Sequence, residues 1–166
     1  TVSPTYAQEI QTAEFGYGLE GLLHYRQDHL SGIINGIDDD IWNPATDPAL
    51  AQTYNQRTLS DKLLNKVALQ QTMGLPINDQ RPLFGLIGRL VEQKGIDLVI
   101  ACLSEMVKLP LQFVLLGSGE KRFESALTTL AEQYPQQIAV RLGYNETLAH
   151  QIEAGVDVFL MPSRFE

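Results

Sequence analysis

The fold is decided by Pro82-Leu-Phe-Gly-Leu-Ile-Gly-Arg-Leu-Val-Glu-Gln-Lys-Gly95. An uncharged apolar run, Leu83 to Ile87, lies between Pro82 and Gly88, and so reads as a short buried strand. Arg89 and Lys94 follow, then Gly95, then a helical pattern opening at Asp97. Strand, glycine-punctuated loop with two cations, and helix start together suit an anion. The first N–H groups of a helix lack partners and its dipole favours negative charge there. Arginine clamps phosphate through parallel N–H bonds, whereas lysine acts as a point charge. The same residues equally fit a surface βα loop with solvated cations, because neither a Walker loop nor a GxGxxG fingerprint is complete.

Outward from this stretch the rhythm is regular. Strands are expected at Leu83–Ile87, Gln112–Leu116, Ile138–Leu142 and Val156–Met161. Helices are expected between them at Asp97–Lys108, Lys121–Tyr134 and Glu146–Ala154. Alternation of this kind implies right-handed βαβ units, a parallel sheet and an α/β, Rossmann-like fold. A strand order of 3-2-1-4 places the loops after strands 1 and 4 side by side at the switch point, where doubly wound sheets bind ligands. Those loops hold Arg89 and Lys94 on one side and Pro162-Ser-Arg-Phe-Glu166 on the other.

Two further strand ends face the same edge. Gly117-Ser118-Gly119 allows close backbone approach to a ligand, or forms a tight βα turn. Tyr144 follows strand 3, where it can stack on a base or pack on its loop. Asn145 is placed to cap the next helix; its Asn-Glu-Thr context fits a glycosylation sequon, a chance match in a cytoplasmic protein.

Upstream of Pro82 the pattern is weaker. Ser3 with Pro4 signals a helix start. Gly18 to His29 suits a short amphipathic helix, and Ser31 to Ile37 a brief apolar strand. Asp38 to Asp40 reads as a solvated acidic loop, since no further ligand spacing supports a cation. Residues 41–57 resemble a linker, and a helix from Thr58 presents Leu59, Leu63, Leu64, Val67 and Met73 to a core. His24, His29 and His150 have no partner pattern and read as surface residues; Cys102 reads as a buried structural thiol.

Bulk properties exclude several classes. With 166 residues there is enough chain for one domain with a sizeable core. A net charge of −8 disfavours non-specific binding to nucleic acid or an anionic membrane, so local cations must hold any phosphate. No apolar run approaches a membrane span, and one cysteine excludes a disulfide framework. An NAD dehydrogenase is disfavoured because Gly85-Leu-Ile-Gly88 lacks the spaced glycines. Four strands are about half a doubly wound sheet, and the chain starts at Thr1 and stops at Glu166 just after its last strand, so the expectation is a piece of a longer protein.

Several motifs occur in order: Ser3-Pro-Thr-Tyr-Ala7, Tyr17-Gly-Leu-Glu-Gly-Leu-Leu23, Asn35-Gly-Ile-Asp38, Arg89-Leu-Val-Glu-Gln-Lys-Gly95, Leu116-Gly-Ser-Gly119 and Pro162-Ser-Arg-Phe-Glu166. Together they resemble bacterial glycogen synthase and plant starch synthase, GT-B glycosyltransferases that use ADP-glucose. The resemblance implies that residues 1–35 end an N-terminal domain, 36–81 form an interdomain segment and helix, and 82–166 are the first half of the C-terminal nucleotide-binding domain. It implies that Arg89 and Lys94 bind the donor diphosphate and stabilise departing ADP, and that Glu166 contacts the donor glucose. Tyr144 would pack on adenine, Gly88 and Gly117 to Gly119 would border the nucleotide, and Asn35 would lie at the interdomain cleft. The implied reaction transfers glucose to the non-reducing 4-OH of an α-1,4-glucan with retention, in the cytoplasm, with neither metal nor other cofactor. The family's Lys-Thr-Gly-Gly loop, its active-site histidine and the second glutamate of its pair are not in this stretch, so the stretch by itself is expected to be inactive. Open alternatives are a GT-B enzyme using a UDP-sugar and a non-catalytic nucleotide-binding module; oligomeric state is left open.

Overall fold

A computed structural model describes residues 1–165; Glu166 lies outside the described residues. The chain divides into two compact units, residues 1–39 and 40–165.

In the first unit, helix α1 (Pro4–Glu9) opens as expected, with the Ser3 hydroxyl accepting from Tyr6 N–H at 2.9 Å and proline where no N–H is needed. Helix α2 (Glu20–Tyr25) runs into a single 3₁₀ turn at Gln27–His29. The strand expected at Ser31–Ile37 does not form. Ile33 N–H donates to the Thr1 carbonyl and the Thr1 ammonium to the Ser31 carbonyl, both at 2.8 Å, and no ladder follows among the described residues. Ile33, Ile34 and Ile37 stay exposed, so this apolar run has no face to bury within its unit.

The second unit contains the sheet. Helix α3 (Lys62–Met73) precedes strand β1 (Leu83–Leu90), helix α4 (Ile96–Met106), strand β2 (Gln112–Gly119), helix α5 (Lys121–Gln133), strand β3 (Ile138–Leu142), helix α6 (Glu146–Gly155) and strand β4 (Val158–Phe159). All pairings are parallel, in the order β3-β2-β1-β4. The switch point therefore falls between β1 and β4, as the sequence implies. Leucine, valine and phenylalanine fill both faces, so the strands are continuous apolar runs rather than alternating ones. One face packs Leu69, Met73, Leu83, Val114, Leu148 and Ile152 beneath α3 and α6. The other packs Leu86, Val99, Leu103, Phe113, Phe123 and Leu127 beneath α4 and α5.

Four expectations need correction. β1 continues to Leu90, so Arg89 sits on the strand, opposite Ser118, rather than in a loop. The buried face of α3 is Asn65, Lys66, Leu69, Gln70 and Met73; Leu59, Leu63 and Leu64 are exposed. That face keeps helical spacing but is chosen by hydrogen-bond partners as well as by hydrophobicity. Cys102 is exposed, because α4 turns Ile96, Val99 and Leu103 inward instead. His150 is buried, 7% exposed, with Nδ1 at 2.6 Å from the Asp47 carboxylate and its ring stacked on Trp42 at 3.8 Å. The 41–57 segment is thereby strapped to α6, helped by Gln151 Nε2 donating to the Ala49 carbonyl. Asn65 adds a reciprocal pair of bonds to the Gln52 backbone.

Among the described residues, no helix is long and apolar enough to cross a membrane.

Candidate functional site

At the carboxyl edge of the sheet, β1 and β2 lie so close that side chains do not fit between them. A Cβ on Gly117 would sit 2.0 Å from the Gly88 carbonyl oxygen. Glycine at Gly117 therefore keeps the strand ends paired and leaves their backbone bare. Above them opens a cleft of about 260 Å³ lined by Ile87, Gly88, Arg89, Gly117, Ser118 and Tyr144, with Leu116, Gly143 and Ala149. Five residues singled out in sequence thus meet in one place. Arg89 and Tyr144 are exposed, Tyr144 at 85%, so neither side chain is spent on internal packing. Tyr144 is presented by Gly143, whose φ of +114° only glycine adopts readily. Asn145 then caps α6, its Oδ1 accepting from Leu148 N–H at 2.8 Å.

Tyr144 also borders a second hollow of about 400 Å³ that includes Thr72, Arg141, Thr147 and Gln151. A third, of about 70 Å³, brings Lys94 beside Gly88, Pro162 and Ser163. Lys94 and Arg89 thus stand at adjoining hollows that share Ile87 and Gly88.

The segment after β4 docks on the β1–α4 turn. Gly95, with φ of +67°, starts α4, and a Cβ there would lie 2.2 Å from the Pro162 carbonyl oxygen. Arg164 N–H donates to the Gln93 carbonyl at 2.9 Å. Its guanidinium pairs with the Asp97 carboxylate. Gln93 Nε2 donates to the Phe165 carbonyl at 3.3 Å. The two loops that the strand order brings together are therefore in contact.

Not every candidate joins the cleft. Gly119 does not line it: its N–H donates to Glu124 Oε1 at 3.0 Å, and Lys121 holds the other carboxylate oxygen at 2.6 Å. Lys121, and then that N–H, push the Glu124 carboxyl below its usual range. The start of α5 thus carries its own anion. An acidic residue at the fourth position of the helix expected at Lys121–Tyr134 was the available signal. Asn35 is exposed in the first unit. Glu166 lies outside the described residues.

Comparison with known proteins finds relatives over the whole chain. The starch synthase catalytic domain family matches residues 1–25. The glycogen synthase of Cellvibrio japonicus (strain Ueda107) is 59% identical over all 166 residues, which cover 34% of that protein. Glycogen synthase 1 of Methylococcus capsulatus (strain Bath) is 56% identical over the same length, again 34% of its own. The chain is thus similar over its whole length to glycogen synthases and to a starch synthase. It spans about a third of the length of the curated relatives it matches. Among solved structures, the catalytic domain of starch synthase IV from Arabidopsis thaliana is similar over the whole chain, with a TM-score of 0.93 and 44% identity, and covers 34% on its side. That starch synthase is described as bound to ADP and acarbose.

Proposed function

We propose that this chain forms the nucleotide-binding part of an enzyme that transfers glucose from ADP-glucose to the non-reducing 4-OH of an α-1,4-glucan, with retention. One observation carries the reading: Gly88, Arg89, Gly117, Ser118 and Tyr144 line a single cleft over the carboxyl ends of β1, β2 and β3, next to the switch point of a parallel sheet. Support comes also from the Arabidopsis relative, which is bound to ADP and acarbose.

In this reading the donor's diphosphate lies on Arg89, with Lys94 in the adjoining hollow. The bond from C1 to the β-phosphate oxygen breaks and the diphosphate leaves with the bonding electrons, while a bond from C1 to the acceptor O4 forms and the 4-OH proton passes to the departing phosphate oxygen. Negative charge grows on that diphosphate in the transition state, where fixed cations stabilise it most. Two cations serve this purpose without a metal ion or other cofactor. Tyr144 offers an exposed ring for adenine. Asn35 is assigned to the interdomain cleft and Glu166 to the donor glucose, following the family resemblance. The enzyme acts in the cytoplasm, on small nucleotide and glucan partners rather than nucleic acid or membrane.

The test is a titration of ADP against UDP into the full-length protein, with a transfer assay on a maltooligosaccharide. The expected result is tighter ADP binding, a preference that falls about tenfold in Tyr144→Ala as base stacking is lost, and transfer from ADP-glucose. Equal binding of UDP, or transfer only from a UDP-sugar, contradicts the choice of donor.

A further inference from the structure

Gln93 lines none of the three hollows described above, yet it touches both sides of the switch point. It lies half-buried in the 3₁₀ turn Glu92–Lys94. Its carboxamide faces two ways. Oε1 accepts from Arg89 Nη2 at 3.4 Å, and Nε2 donates to the Phe165 carbonyl at 3.3 Å. Its own backbone carbonyl accepts from Arg164 N–H at 2.9 Å. A neutral amide is the side chain that offers an acceptor and a donor at one tip. Glutamate keeps the first contact and repels the second; methionine keeps the bulk and loses both.

Arg89 is otherwise a long, exposed cation with much rotamer freedom to lose when it seats an anion. A side chain that holds the guanidinium in place lowers that cost. Because the same amide also holds the Phe165 carbonyl, fixing Arg89 fixes the end of the 162–165 segment. We propose that Gln93 is a positioning residue that links the diphosphate cation Arg89 to the 162–165 segment, so that nucleotide binding on one side orders the other. The inference rests on the reading that Arg89 takes the donor's diphosphate. Glu166 follows Phe165 directly in sequence, so the linked segment leads to the residue assigned to the sugar.

Hydrogen exchange at the backbone amides of residues 163–165 reads the link without reference to turnover. The experiment uses the full-length protein as wild type, Gln93→Met and Gln93→Glu, with and without ADP. The Gln93 carbonyl contact to Arg164 survives both substitutions, so the fold of the turn is kept. In the wild type, ADP is expected to slow exchange at these amides about fivefold or more. In Gln93→Met this protection is expected to vanish while ADP affinity stays within about threefold. The kcat of glucose transfer is expected to fall about tenfold with KM for ADP-glucose nearly unchanged, since the two hydrogen bonds are long and weak. Gln93→Glu is expected to lose the protection too and to bind ADP more weakly, its charge competing with the diphosphate for Arg89. Equal ADP protection in wild type and Gln93→Met, or an unchanged kcat in a folded variant, overturns the link. If the wild type transfers no glucose but the protection pattern holds, the assigned reaction fails and the link stands. A wild type that binds no ADP sinks both.

Discussion

The two ends of the sheet treat polar side chains in opposite ways. At the amino edge they are buried and fully engaged. Lys66, 4% exposed, donates to the Asp79 and Arg81 carbonyls at 3.0 and 2.8 Å and pairs with Asp157 at 2.7 Å. That carboxylate also accepts from Leu83 N–H at 2.7 Å, where β1 begins. Gln70 Nε2 donates to Gln112 Oε1 at 2.6 Å, and Gln112 Nε2 to the Pro76 carbonyl at 2.8 Å, both residues being fully buried. At the carboxyl edge Arg89, Ser118 and Tyr144 are exposed around bare glycine backbone. Buried polar groups raise stability only when fully paired, whereas a ligand site must leave its donors open. One edge thus closes the fold and the other presents chemistry. The contrast predicts two classes of variant with little overlap.

The largest effect is expected from Arg89→Ala. Loss of one fixed donor to developing charge costs about 100- to 1,000-fold in kcat. Thermal unfolding of the same variant is expected to shift by no more than about 1 °C, since the side chain is exposed and makes one long contact. A drop of several degrees would place Arg89 with the structural edge instead.

Lys66→Met should do the reverse. It strips two carbonyls and one carboxylate of their cation. The expected loss is about 2–3 kcal/mol in urea unfolding, below the range for fully buried pairs because Asp157 is partly solvated. Transfer kinetics on the folded variant should match wild type. A stability change under about 0.5 kcal/mol would show that the buried network is not what joins α3 to the strand starts.

Asn145→Ala sharpens the contrast at the boundary, because Asn145 adjoins Tyr144 but serves α6. Loss of the cap is expected to cost about 1 kcal/mol of stability. ADP affinity should fall less than in Tyr144→Ala; a greater fall would make the cap part of the site.

The smallest effect is expected from Glu153→Gln. Burial, partly offset by His150, raises the Glu153 carboxyl above its ordinary 4.5 in the folded state. Ionising it therefore costs stability above the folded pKa and nothing below about pH 4.5, where both states are protonated. The amide removes that cost, so a gain of a few tenths of a kcal/mol, discounted for solvent screening, should appear at pH 7 and vanish near pH 4. Denaturant melts at the two pH values read it, and a loss at pH 7 reverses the sign.

The carboxyl edge was largely legible because its signals are local. Glycines after strands, two cations and a helix start lie within a dozen residues, and the parallel alternation fixes where strand ends go. The amino edge was not. Lys66 finds its partners 13, 15 and 91 residues away, and Gln70 meets Gln112 across 42. Periodicity therefore put Leu59, Leu63 and Leu64 on the core face of α3 with Val67 and Met73; Met73 is buried, but solvent reaches the three leucines. His150 hid for the same reason, its carboxylate partner lying 103 residues upstream. Gly119 stays outside the cleft lining, with its N–H taken by Glu124 five residues on.

Calorimetric titration of ADP into the full-length wild type, Arg89→Ala and Lys66→Met tests the division most directly. Arg89→Ala is expected to weaken ADP about 30- to 100-fold, the worth of a charge-assisted pair at about 1.4 kcal/mol per tenfold. Lys66→Met is expected to bind within about twofold of wild type. Wild-type affinity in Arg89→Ala, or a loss of equal size in Lys66→Met, would contradict the assignment of nucleotide binding to the carboxyl edge.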